Sequence, residues 1–129
     1  MTARVEIVPA TERDFLDYTA RYSEGPMLPP VRVVALAARL EGTTIGLGGI
    51  AFMKNGVKLA FADISDEARK FPVSIHKTGL AVIALARKHN IKRIIATSTT
   101  VENGGRWLLR LGFRKEEASE GVAYYVYDL

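Results

Sequence analysis

The side chains able to do chemistry in this sequence are few in kind. There is no cysteine, so thiol nucleophiles, disulfides and thiolate metal sites are excluded. Two histidines, His76 and His89, are too few for a histidine-rich metal centre. Acid–base work therefore falls to carboxylates. Asp63 ends an alternating run and shares a face with Val57, Leu59 and Phe61. Apolar neighbours desolvate a carboxylate and raise its pKa toward that of a useful general base. The plainer reading is a strand-end aspartate bonded to loop amides.

Asp66, Glu67, Arg69 and Lys70 follow as a charged loop. Arg69 or Lys70 could contact phosphate, and the carboxylates could meet an amine. Equally, such a loop is a solvated turn whose ion pairs contribute little. His76 falls in the first turn of a helix, where the dipole disfavours imidazolium, so a neutral packed histidine is expected. His89, at the opposite end, complements the dipole. Arg106, Arg110, Arg114 and Lys115 cluster with Trp107 and Phe113. A nucleic-acid surface needs such cations interleaved with exposed aromatics. Helical spacing instead puts Arg106 and Arg110 on one face and Trp107 with Leu111 on another, which sends Trp107 to the core.

Those residues need a scaffold. The chain has 129 residues, read as a single domain over 1–129 that can bury a sizeable core. Its formal charge of +4 favours anionic ligands but is too small to announce nucleic-acid binding. Met1 to Ala10 has no continuous apolar segment of the signal-peptide kind. The longest apolar run, Gly79 to Ala86, is far short of the ~20 residues a membrane helix needs. A soluble cytoplasmic protein with no membrane partner is expected.

Val5 to Val8 alternates as a short strand stopped by Pro9. Thr11 with Asp14 resembles a capping box, and Phe15, Tyr18 and Tyr22 space a helix over Glu12 to Ser23. Gly25-Pro26 and Pro29-Pro30 define a loop. Val31 to Leu40, Thr44 to Met53 and Val57 to Ile64 form an antiparallel meander, turned at Glu41-Gly42-Thr43 and Asn55-Gly56. Gly46, Gly48 and Gly49 lie inside a strand and mark a bulge or a close backbone approach rather than a nucleotide loop. Val73 to His89 is nearly apolar all round in its middle, which predicts a buried helix covering the sheet, with Pro72 in its first turn. Ile91 to Thr97 is a strand reached by a parallel crossover. Asn103 could cap a short helix carrying Trp107, Leu108 and Leu111 and closed by Gly112. Phe113 to Ala118 and Val122 to Tyr127 make a last hairpin. The order β-α-βββ-α-β-α-ββ is an α/β (α+β) class with a mixed sheet and helices on both faces.

This order and three phrases resemble the GNAT N-acyltransferase superfamily. Leu40 to Gly46 is similar to its second hairpin. Ala86 to Ile94 is similar to the end of its main helix and its fifth strand. Arg106 to Phe113, ending Leu111-Gly112-Phe113, is similar to its closing helix and turn. The resemblance covers almost the whole chain. It implies a splayed opening between the fourth and fifth strands that takes acyl-coenzyme A, with the pyrophosphate on the N-terminus of the following helix. It places Lys70, Val73, Ser74, Ile75 and Lys77 at that anion site, and the backbone of Ile64 beside the thioester. Two departures accompany it. Phe71 to Ile75 contains neither glycine of the family's phosphate loop. Leu108 stands where many members place a tyrosine general acid, and an aliphatic side chain donates no proton.

Three functions remain open on the residues. The first is an acyltransferase moving an acetyl group from acetyl-CoA to a small-molecule or peptide amine, by direct attack, with Asp63 as base. The second is a fold of this kind that has lost catalysis and serves as a binding or structural module, resembling compact proteins encoded by phages and prophages. The third is nucleic-acid binding through the Arg106 to Lys115 surface. Tyr124, Tyr125 and Tyr127 could line an acceptor groove or the contact of a homodimer.

Overall fold

The computed structural model describes residues 4–22, 31–97, 105–117, 120–121 and 123–129. Seven strands and three helices alternate in the expected order: β1 (Val5–Pro9), α1 (Glu12–Tyr22), β2 (Val33–Leu40), β3 (Thr43–Phe52), β4 (Lys58–Ile64), α2 (Pro72–Lys88), β5 (Arg93–Thr97), α3 (Gly105–Leu111), β6 (Arg114–Glu117) and β7 (Ala123–Asp128). The strands form one mixed sheet in the order β1-β2-β3-β4-β5-β7-β6. The Pro-rich loop after α1, and Asn103 before α3, lie outside the described residues.

Turn chemistry sets the meander. Glu41 and Gly42 both take positive φ, 50° and 82°, which suits a two-residue turn between twisted strands. At the next turn Asn55 Oδ1 accepts from the Val57 amide at 3.1 Å, and Gly56 N–H donates to the Met53 carbonyl at 3.1 Å. The register between β2 and β3 shifts between Ala38 and Arg39, so one extra residue, Ile45, is accommodated as a bulge. Gly49 marks the close approach. A Cβ there would lie 2.2 Å from the Val34 carbonyl oxygen.

Both C-terminal helix ends close in the same way. Ile91 N–H donates to the Ala86 carbonyl and Asn90 N–H to that of Arg87, with Asn90 at φ 56°. Phe113 and Gly112 make the equivalent bonds to Leu108 and Leu109. Each motif drops an apolar residue, Ile91 or Phe113, straight into the core.

The two faces of the sheet carry different cores. α1 packs on one face through Tyr18, against Ala37 and Leu47. α2 and α3 pack on the other through Val82, Ile83, Ala86, Leu108 and Leu111, over Ile50, Ala60 and Ile94. The two helices touch at Gly79, where an added Cβ would lie 2.7 Å from Leu111 Cδ1 and 2.8 Å from Trp107 Cζ2. Trp107 thus faces inward, while Arg106 and Arg110 are exposed, as their spacing predicts. The expectation that α2 is buried on all sides in its middle is corrected. Its outer side has no covering element among the described residues, and Val73 and Leu80 are 67% and 48% exposed. No described helix is long and apolar enough to cross a membrane.

Candidate active site

One cross-strand row positions Asp63. Pairing sets Val8 opposite Ala37, Ala37 opposite Leu47 and Leu47 opposite Asp63. Alternation then puts the Asp63 side chain on the α1 face and that of Ile64 on the α2 face. The run Val57, Leu59, Phe61, Asp63 therefore shares a face, as its period requires.

α1 is built to meet that face. Asp14, Tyr18 and Tyr22 recur every four residues, one helical turn apart. The capping box forms: the Thr11 amide donates to Asp14 Oδ2 at 2.8 Å, and the Asp14 amide to Thr11 Oγ1 at 3.3 Å. Asp14 does more than cap. Arg39 grips it with Nε to Oδ1 at 2.9 Å and Nη2 to Oδ2 at 2.8 Å, and Thr44 Oγ1 donates to Oδ1 at 2.7 Å. The Arg39 guanidinium, helped by the Thr11 and Thr44 donors and opposed by burial, holds the Asp14 carboxyl well below the usual carboxylate range. This network pins the start of α1 to β2 and β3.

One turn on, Tyr18 is 1% exposed, and its hydroxyl donates to Asp63 Oδ1 at 2.8 Å. Burial, and the carboxylate its proton is bonded to, push the Tyr18 hydroxyl well above the ordinary phenol range. Tyr18 is therefore a fixed donor that orients Asp63. This side-chain bond across the helix–sheet interface is a partner of Asp63 that strand position alone does not suggest. Tyr22 packs on Tyr18 with ring centroids 4.7 Å apart and the ring planes tilted by 49°, and its buried hydroxyl has no hydrogen-bond partner among the described residues.

The residues expected at an anion site gather at the start of α2, on the other face. Ser65 supports that approach: its hydroxyl donates to the Ile45 carbonyl in the bulge at 2.6 Å and accepts from the Ala68 amide at 3.2 Å, opening a 3₁₀ turn over Ala68–Lys70. The backbone donors at the helix start are limited. Pro72 has no N–H, and the Phe71 and Ile75 amides already bond to the carbonyls of Ala68 and Phe71. The amides of Val73 and Ser74 remain in the first turn. Lys70 is exposed beside them, and Lys77 is exposed on the outer side of α2. Val73 points to solvent and does not crowd this end.

Ile64, Ser74 and Ile75 line a small apolar cavity of about 30 Å³ between α2 and the sheet, with Ile45, Phe71 and Trp107. That is room for little more than water-sized groups. The buried Trp107 Nε1 has no acceptor among the described residues. Among the same residues, β4 and β5 pair at one position, Leu59 opposite Ile95, whereas β4 stays paired with β3 as far as Ile64. The fold thus brings Ile64, Ser74 and Ile75 together around the cavity, leaves Lys70, Val73 and Lys77 exposed outside its lining, and holds Asp63 on the opposite face. The tests for a bound acyl-CoA divide accordingly. The amides of Val73 and Ser74, with Lys70, fit a phosphate. The cavity fits an acyl arm only if Phe71 and Ile75 shift.

Residue-level reading of the sequence missed Tyr18, Arg39 and Thr44. The signal available was the four-residue recurrence of polar-tipped side chains in α1, which was absorbed into its apolar face.

No family model matches the sequence, and no curated protein matches it. Solved structures match along the entire chain. An acetyltransferase of the GNAT family from Staphylococcus aureus Mu50 superposes with a TM-score of 0.69 at 11% identity, over 98% of this chain and 99% of the other. The acetyltransferase from Agrobacterium tumefaciens C58 gives 0.70 at 15% identity, over 100% and 95%. The chain has the GNAT fold. A third GNAT-fold match is the PaiA N-acetyltransferase of Thermoplasma acidophilum in complex with coenzyme A, with a TM-score of 0.68 at 11% identity over 98% and 99%. Within the GNAT fold, the cavity under α2 and the Tyr18–Asp63 pair lie on opposite sides of the strand junction. At these identities the likeness is one of fold, and function rests on the site.

Proposed function

We propose that the protein is an acyltransferase that moves an acetyl group from acetyl-CoA to an amine. The observation that carries this reading is the position of Asp63. It stands at the end of β4, past the single described β4–β5 pair, with one oxygen fixed by Tyr18. This requires that β4 and β5 part beyond that pair, so that a group held against α2 meets an amine arriving on the α1 face. Acetyl-CoA supplies a thioester whose acyl carbon is open to an amine nucleophile. The amides of Val73 and Ser74 and the Lys70 ammonium hold its pyrophosphate at the start of α2, and Lys77 adds positive field. The Ile64 backbone positions the thioester. As the C–N bond forms, Asp63 accepts the proton of the attacking amine, directly or through water, while Tyr18 keeps the carboxylate aimed; the C–S bond breaks and coenzyme A leaves as a thiolate that takes its proton from solvent. The acceptor class is a small-molecule or peptide amine.

The absence of cysteine gives this proposal a clean assay, since a thiol reagent reports only the CoA released. The full chain is incubated with acetyl-CoA and a panel of primary amines. The expected result is turnover above the blank for at least one amine, lowered about 10²-fold or more by Asp63→Asn. A second reading, a GNAT-fold binding module without catalysis, is favoured by Phe71 and Ile75 lining the small cavity. The prophage resemblance belongs with it. Acetyl-CoA binding without turnover on any amine would select this second reading.

A further inference from the structure

We propose that the outer face of α2 and α3 docks an acidic amphipathic helix of a partner protein. Charge is the first observation. The overall +4 conceals a strong division along the chain. Between Ala68 and Lys115 there are eleven Lys and Arg residues and one acidic residue, Glu102. That segment carries both helices of the α2 face.

The cations on this face are also unpaired. Some arginines of the chain are engaged in ion pairs: Arg39 with Asp14, Arg69 with Asp66, Arg93 with Asp128, and Arg114 with Glu116 and Asp128. Lys77, Lys88, Arg106 and Arg110 are exposed and have no ion pair among the described residues. Arg87 donates to the neutral hydroxyl of Tyr127 at 3.0 Å and lies over its ring, with no ion pair among the described residues. Unpaired like charges on one face repel one another, and an anionic partner relieves that.

The spacing of the exposed residues selects the shape of the partner. Val73, Lys77, Leu80, Ala84 and Arg87 are all exposed, and they follow each other by four, three, four and three residues. That is the seam along which one helix receives another. Leu80 is 48% exposed and Val73 67% exposed on this seam, and Leu109, 50% exposed, stands on the adjoining α3 with Arg106 and Arg110. The occupant that fits carries apolar side chains opposite Val73, Leu80 and Ala84, and Glu or Asp opposite Lys77, Arg87 and Arg110.

Nucleic acid and membrane fit less well. Nucleic-acid surfaces present aromatics for stacking, but Trp107 is turned inward against Gly79 and Phe113 is buried. A membrane-surface helix presents a continuous apolar strip. Here Val73 and Leu80 are separated by Lys77 and stand about 10 Å apart along the helix.

The test uses the full-length chain and a fluorescent designed peptide about three heptads long, with Leu at the seam positions and Glu at the flanks. A twin with Lys in place of Glu, a short DNA duplex, single-stranded DNA and anionic vesicles are the competitors. Anisotropy is expected to show micromolar binding of the acidic peptide, weakening as salt rises, and no binding of the lysine twin. Leu80→Glu and Arg110→Glu should each weaken it by about tenfold or more. Leu16→Glu, at an exposed apolar position on α1, should leave it unchanged; circular dichroism checks that each variant is folded. Absence of acidic-peptide binding at millimolar concentration, tighter binding of DNA or vesicles, or unchanged affinity in Leu80→Glu would each overturn the proposal.

Discussion

Replacing Asp14 by alanine should lower stability by about 2–3 kcal/mol. The figure follows from what each of its partners loses. The Thr11 amide loses its cap acceptor, which costs about 1 kcal/mol. The Thr44 hydroxyl, 2% exposed, loses its acceptor out of reach of solvent, at about 1–2 kcal/mol. The Arg39 side chain is 32% exposed, so it turns to water and adds little. For a chain of 129 residues this total is a fall of roughly 10 °C in Tm, measured by calorimetry at neutral pH. Two further readings separate the network from mere loss of a side chain. In a cycle with Thr44→Val, the double variant should cost about 1 kcal/mol less than the two single effects together. The effect should also depend on pH with a definite sign. The folded value of Asp14 is depressed, so its contribution is complete above the ordinary carboxylate pKa and is lost as pH falls through the folded value. The difference in Tm between wild type and Asp14→Ala should therefore be constant from neutrality down to about pH 5 and shrink below it. A loss under 1 kcal/mol, full additivity with Thr44→Val, or a difference that grows on acidification would refute the network.

Three other outcomes follow from the geometry. Gly49→Ala should cost more than about 3 kcal/mol in denaturant unfolding, because its Cβ would meet backbone at 2.2 Å, whereas Gly46→Ala, with its nearest atom at 3.5 Å, should be mild. Alkaline ultraviolet titration should show a tyrosine that does not ionise before unfolding, and Tyr18→Phe should remove it. Phe71→Ala should tighten acetyl-CoA binding by enlarging the cavity under α2, measured by thermal shift; weaker binding would mean that Phe71 itself contacts the ligand.

The fold was legible in the sequence because its punctuation is local. Glu41-Gly42, Asn55-Gly56, Pro72 and Gly112 bound their elements through backbone requirements that do not depend on the rest of the chain. The side on which Asp63 falls was legible too, since strand alternation settles it. The exposed side of α2 was not. Val73, Leu80 and Ala84 look like core in a list of residues, and only the placement of α3 shows which side is left open. The four-residue spacing of polar tips in α1 was legible, but the partners in the Tyr18–Asp63 and Asp14–Arg39–Thr44 contacts were out of reach. Those contacts join residues 45, 25 and 30 positions apart, brought together by sheet register and by the docking angle of α1. Local patterns in a single sequence carry no record of either.

An acetyltransferase of the proposed kind must receive acetyl-CoA at the start of α2 and in the cavity beneath it. Isothermal titration of the full chain with acetyl-CoA should then give a saturable heat with one site per chain, weakened by about tenfold in Lys70→Glu, which reverses the charge proposed to meet the pyrophosphate. No heat and no thermal shift at millimolar acetyl-CoA would refute the proposed function.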